Sequence, residues 1–122
     1  MTEKKSWLFT TNYSYITQKT IDSDLQAQEF VFKAAADTAV TSIHLCNITS
    51  TDAVVNIYLL PNDNSTAGPT ENNKIYNSLT IQGTDTYVID TEKMILASGD
   101  KIYVETPDSS SSVVATISTI GL

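Results

Sequence analysis

Over residues 38–46 apolar and polar positions alternate. Ala39, Thr41, Ile43 and Leu45 fall on one side of an extended chain, and Val40, Ser42, His44 and Cys46 on the other. A period of two is the signature of a strand lying on a sheet. It returns over residues 53–60, where Val55, Ile57 and Leu59 share one face, Asn56 and Tyr58 look the other way with Val54 and Leu60, and Pro61 ends the run. Residues 74–81 repeat it, with Ile75, Leu79 and Ile81 predicted on one face. Shorter strands are predicted over 30–33, 85–89, 94–96, 101–106 and 113–120, the last buried beside the 38–46 strand. Turn chemistry separates them: 47–52, 82–84, 90–93, the Ser98-Gly99-Asp100 reversal, and 107–112. Gly99 accepts positive φ without steric cost, and Asp100 can bond nearby backbone.

Helix patterns are nearly absent. Ser23 and Gln26 have capping-box spacing, but residues 18–29 are too polar and too short, and a connecting loop is expected there. About eight short strands, with turn signals roughly every 8 to 12 residues, predict an all-β fold: a single antiparallel β-sandwich or jelly roll with an N-terminal arm. The organisation predicted is an arm and first strands over 1–37 and a sandwich core over 38–122. Residues 61–73 form the longest loop, a candidate functional loop or an insertion.

Near the start, Trp7, Leu8, Phe9, Tyr13, Tyr15 and Ile16 concentrate large apolar surface. Two readings stand: a first strand that covers the sheet, or an arm that docks on a neighbouring subunit. Aromatics dominate interface energetics, so these six residues are the candidate partner contacts.

Composition narrows the function classes. A chain of 122 residues buries one core without staples. Its polar content is 18 Thr, 13 Ser and 8 Asn, with only 17% of residues charged; Thr packs well on a pleated surface and Asn and Ser suit turns. The net charge is −7 and all seven basic residues are Lys. The missing arginine argues against nucleic acid, where bidentate guanidinium contacts are the rule, and the acidity argues against an anionic membrane. Solubility and self-repulsion account for the charge; a basic partner is the sharper alternative. No apolar run of about 18 residues is present. The first residues lack an apolar signal core, so synthesis in a cytosol is expected, and the sequons at Asn12, Asn47 and Asn64 read as chance.

Candidate chemistry is sparse. His44 and Cys46 are the only residues of their types, two apart on one strand face, too close along it for the usual nucleophile–base geometry. One Cys excludes an intramolecular disulfide, and one Cys with one His is not a zinc site. Asp22, Asp24, Asn62, Asp63 and Asn64 offer oxygens without an EF-hand pattern. No cofactor and no metal is expected. Tyr58, Tyr76, Tyr87 and Tyr103 sit opposite aliphatic positions; cross-strand pairing is the simpler reading and a carbohydrate-stacking platform the other.

The stretch from Thr41 through Asn47-Ile-Thr-Ser-Thr-Asp to Leu60 resembles the first hairpin of small β-sandwich virion structural proteins of tailed bacteriophages, of the decoration and tail-accessory type. Residues 87–104, with the leucine, two residues, Gly-Asp signature at Leu96 to Asp100, look like their second half, followed by a Ser-rich loop and a last strand. The resemblance covers residues 38–122 and carries no catalytic residues. It implies a non-enzymatic virion structural protein, foremost a capsid decoration or cement protein on the coat shell. Its expected partners are the major capsid protein or tail proteins, with no nucleic acid and no membrane, in a homo-oligomer found in the virion after synthesis in the host cytoplasm. The alternatives are a tail, neck or baseplate component, or a carbohydrate-binding host-attachment module.

Overall fold

Nine strands and one short 3-10 turn make up the regular structure of the residues that the computed structural model describes: 14–22, 30–62, 69–90, 93–107 and 111–122. The strands are β1 (Ser14–Asp22), β2 (Phe32–Lys33), β3 (Thr38–Asn47), β4 (Ala53–Leu60), β5 (Lys74–Ile81), β6 (Thr86–Ile89), β7 (Met94–Leu96), β8 (Lys101–Glu105) and β9 (Ser112–Gly121). They form two antiparallel sheets. The first has the order β1-β9-β3-β6, with β7 beside β6 on the same flank of β3; the second is β2-β8-β4-β5. Because β6 pairs with residues 43–46 of β3 and β7 with residues 38–40, the two act as one interrupted edge strand. Early and late strands therefore interleave, and the chain changes sheet at almost every connection. That is the connectivity of a jelly roll.

The core lies between the sheets. Ile21, Ile43, Leu45 and Ile117 from the first sheet meet Val55, Ile57, Ile102 and Val104 from the second, all at most 1% exposed. Period-two patterning is what lets each strand give one apolar face to this layer and a polar one to its outside.

Three local expectations fail, each for a stated physical reason. Residues 18–22 are strand, not loop: β1 pairs with β9 from Ser14↔Ile120 to Asp22↔Ser112, and Ile21 is fully buried. An edge strand needs few apolar residues when its neighbour supplies the pairing, so polarity alone disguised it. Strict alternation also breaks in β3. A bulge between Val40 and Ser42 adds one residue relative to β9, so Thr38 and Val40 point inward above it and Ile43 and Leu45 below it. In β5 an extra residue around Asn77 and Ser78, with Ser78 at φ 58°, turns Tyr76 towards the core and leaves Ile75 exposed. Bulges on this edge strand also blunt it against edge-to-edge pairing.

Two junctions hold the strand ends. Asn47, fully buried, donates from Nδ2 to the carbonyls of Thr51 (2.8 Å) and Ile81 (3.0 Å), while its Oδ1 accepts from Thr49 N (3.0 Å). One side chain thus closes the β3–β4 turn and ties it to the end of β5. Gly83 passes so close to Ser50 that a Cβ would overlap the Ser50 carbonyl.

Candidate interaction surface

The reversal at residues 97–100 is structural. Asp100 N donates to Ala97 O at 3.0 Å, and Gly99 takes φ +94°, as the third position of a type II turn requires. Asp100 then uses both carboxylate oxygens, accepting from Asn62 N and Ala97 N at 2.9 Å each. Gly99 N donates to Ala34 O, and Ser98 Oγ to Ala35 O. The turn joins the ends of β2, β4 and β8, and its Asp100 carboxylate, Gly99 N–H and Ser98 hydroxyl are engaged within the fold. Shallow open grooves beside it are lined by Lys33, Pro61 and Asn62 among others.

The outer face of the second sheet carries a polar and aromatic knot, of which the sequence pointed to Tyr58 and Tyr103 but not to the link between Asn56 and Glu105. Tyr58 and Tyr103 are paired across β4 and β8, and Asn56 is paired with Glu105 one position along that face. Glu105 Oε1 accepts from Tyr58 Oη at 2.7 Å and from Asn56 Nδ2 at 3.1 Å. Asn56 Oδ1 accepts from Ser78 N at 2.8 Å, so the same amide holds the β5 bulge. Tyr58, Leu60 and Tyr103 form a second small buried cluster, with Phe30 edge-on to Tyr103 at 6.5 Å between ring centroids. Lys74 Nζ lies 5.9 Å from the Tyr58 ring centre and pairs with Glu71 at 2.9 Å. Burial first, then the hydrogen bond to Glu105 and the charge of Glu105, push the Tyr58 phenol well above its ordinary range; burial alone raises Tyr103. Both phenols stay protonated at neutral pH and serve as donors and packing surface, not as acids or bases.

The four strand tyrosines do not share a platform. Tyr58 and Tyr103 are buried, Tyr76 packs against the core, and Tyr87 stands half-exposed on edge strand β6 opposite Leu45. His44 and Cys46 both face outward from β3, beside Thr116 and Val114 of β9. The His44 Nδ1 is buried without a hydrogen-bond partner. Among the described residues no group of three or more His, Cys, Asp or Glu is placed to hold a metal ion. No helix of the described residues is long and apolar enough to cross a membrane.

Of the six predicted partner contacts, Trp7, Leu8, Phe9 and Tyr13 lie outside the described residues. Tyr15 is in β1, opposite Thr119, and Ile16 is in β1, opposite Ser118, with 73% of its surface exposed. In the 61–73 loop, Glu71–Asn73 forms the 3-10 turn, fastened by Thr70 N donating to Asn73 Oδ1 at 2.8 Å; residues 63–68 lie outside the described part.

No protein-family model matches the sequence, and no curated protein sequence matches it. Solved structures do. A chain of the acid-stable capsid structure of Helicobacter pylori bacteriophage KHP30 aligns over 88% of this chain and 86% of its own, with a TM-score of 0.59 at 9% identity. A chain from the disulfide-linked pili of Bacillus endospore appendages aligns over 90% and 85%, with a TM-score of 0.49 at 9% identity. A chain of the cyanophage Pam1 capsid asymmetric unit aligns over 91% and 84%, with a TM-score of 0.39 at 10% identity. The KHP30 likeness establishes a shared fold along nearly the whole of both chains.

Proposed function

We propose that this chain is a non-enzymatic structural subunit of a virus particle and, within that class, a capsid decoration or cement protein that binds the coat shell. The observation that carries the reading is the near end-to-end likeness of its jelly roll to a chain of a phage capsid structure. The resemblance of residues 38–122 to virion proteins of tailed phages supports it independently of the coordinates. The segment holding Trp7, Leu8, Phe9, Tyr13 and Tyr15 leads into exposed Ile16 on edge strand β1 and is the coat-binding element in this reading. Burying its apolar surface at about 25 cal/mol per Å² would stiffen the shell without any chemistry. A net charge of −7 on the outer surface would keep decorated particles apart.

The test is the particle itself. Purified virions should contain this chain in fixed proportion to the coat protein, and antibodies to it should label heads. Labelling of the tail or neck would move the protein to those parts, and absence from purified particles would end the virion reading. A version lacking residues 1–13, which leaves β1 whole, should fold and fail to bind undecorated particles. The carbohydrate-binding alternative has no shared tyrosine platform among the described residues to support it; a glycan array tests it directly.

A further inference from the structure

We infer that the outer face of the β1-β9-β3-β6/β7 sheet is a self-association face, on which a second copy of this chain packs as an additional layer. Outward side chains run across this sheet in rows, for example Gln18 beside Thr116, Thr116 beside His44, and His44 beside Val88. Of the strand positions in register with this outward face, only Asp22, at the end of edge strand β1 opposite Ser112, is Lys, Asp or Glu, in a chain that has 14 acidic residues and 7 lysines. The other sheet is the contrast: Lys33, Lys74, Lys101 and Glu105 all stand on its outer side.

The apolar side chains are distributed to match. Eight large hydrophobic side chains are exposed among the described residues, and four of them belong to this face or its rim: Ile16, Val88, Ile95 and, just past the end of β3, Ile48. Further charged groups stand at the rim, in the break between β6 and β7, where Lys93 Nζ donates to the Asp90 carbonyl. Exposed apolar area gathered on one surface that is nearly free of charge marks an interaction site.

Charge selects the occupant. Two copies at −7 each repel wherever acids face one another, and a contact that buries unpaired charge is costly. Of the two outer sheet surfaces, this is the one on which two copies can meet with fewest charges buried or opposed, because Asp22 lies at its corner while four charged residues cross the other. A partner recognised by charge would need complementary charges across this face, and its outward register positions offer only Asp22 at one corner. The size also fits. Four strand widths at about 4.8 Å spacing and about eight residues of rise at 3.3 Å give roughly 500 Å² per copy. The total of about 1,000 Å² reaches the lower limit of a specific interface. Sheet faces pack at about 10 Å, and a two-fold arrangement uses the same patch on both copies. The inference does not rest on the decoration reading.

Sedimentation equilibrium of the full chain, over a concentration series at low and high salt, tests it. The expected species is twice the 13.3 kDa monomer, strengthened by salt because screening weakens the repulsion between copies. Thr116→Glu places a charge at the centre of the face and should weaken the dimer at least about tenfold. Val88→Lys provides the same test on a different strand if Thr116→Glu folds poorly by circular dichroism. Ile75→Glu, on the other sheet, should leave the dimer intact. A monomer at every concentration, or a dimer that both face variants preserve, overturns the inference. Deleting residues 1–13 should keep the dimer; its loss would assign self-association to that segment and overturn the face assignment, while leaving the coat-binding test untouched.

Discussion

The Tyr58 hydroxyl donates to the Glu105 carboxylate at 2.7 Å, on the outside of the sheet rather than in the core. The same oxygen of Glu105 accepts from Asn56, whose own oxygen holds the backbone of Ser78. Three strands, β8, β4 and β5, are therefore linked by side chains as well as by their ladders.

Cutting that link has a graded cost. Glu105→Ala leaves the buried Tyr58 hydroxyl and Asn56 amide without their acceptor, and an unmet buried polar group costs about 1–3 kcal/mol. Glu105→Gln keeps a neutral acceptor and should lose roughly half as much. Urea unfolding of the two variants checks this; a Glu105→Gln variant as stable as the wild type would show that the carboxylate contributes packing and no charge-assisted hydrogen bond.

Alkaline pH should weaken the fold through the same residues. The phenols of Tyr58 and Tyr103 are raised in the folded state above the unfolded value of about 10. Their contribution is complete below that pH and shrinks as pH rises through it towards the folded value, because the unfolded chain loses the proton first. Stability should fall with pH above about 10, and Tyr58→Phe should make that decline shallower. Absorbance titration should show Tyr58 and Tyr103 ionising only as the protein unfolds.

Gly99→Ala should destabilise by about 1–3 kcal/mol, because a side chain at φ +94° is strained and its Cβ would fall inside the Asn62 side chain. Asn62→Gly in that background should recover the part due to overlap and leave the part due to φ. Full recovery in thermal unfolding would show that φ contributes nothing.

Asn47→Ala should cost about 3 kcal/mol, since it strips donors from two carbonyls and the acceptor from Thr49 N at a fully buried position. Asn47→Asp should cost at least as much, because it sets oxygens against the carbonyls of Thr51 and Ile81. Chemical denaturation midpoints decide between this and a harmless surface turn.

Local rules carried much of the architecture. The period-two runs of β4 and β9, the Pro61 stop and the Gly99-Asp100 reversal were legible because each depends on a few consecutive residues and their backbone preferences. The all-β class and the near count of strands followed from them. The inferred self-association face left no such signal. Ile16, Ile48, Val88 and Ile95 are scattered over some 80 residues, and no local pattern links them.

The sequence by itself determined a Thr-, Ser- and Asn-rich, acidic β domain, its turns, and which strands alternate, because side-chain period and turn chemistry are local properties. Only the tertiary structure decided that polar residues 18–22 are strand, that a bulge exchanges the faces of β3 at Thr41, that Tyr76 turns inward while Ile75 stays out, and that one sheet presents an outer face with few charges. Each depends on pairing between segments far apart in the chain, as where β1 lies against β9. Register is set there by the partner strand and by what the shared core will accept, not by the residues of either strand alone.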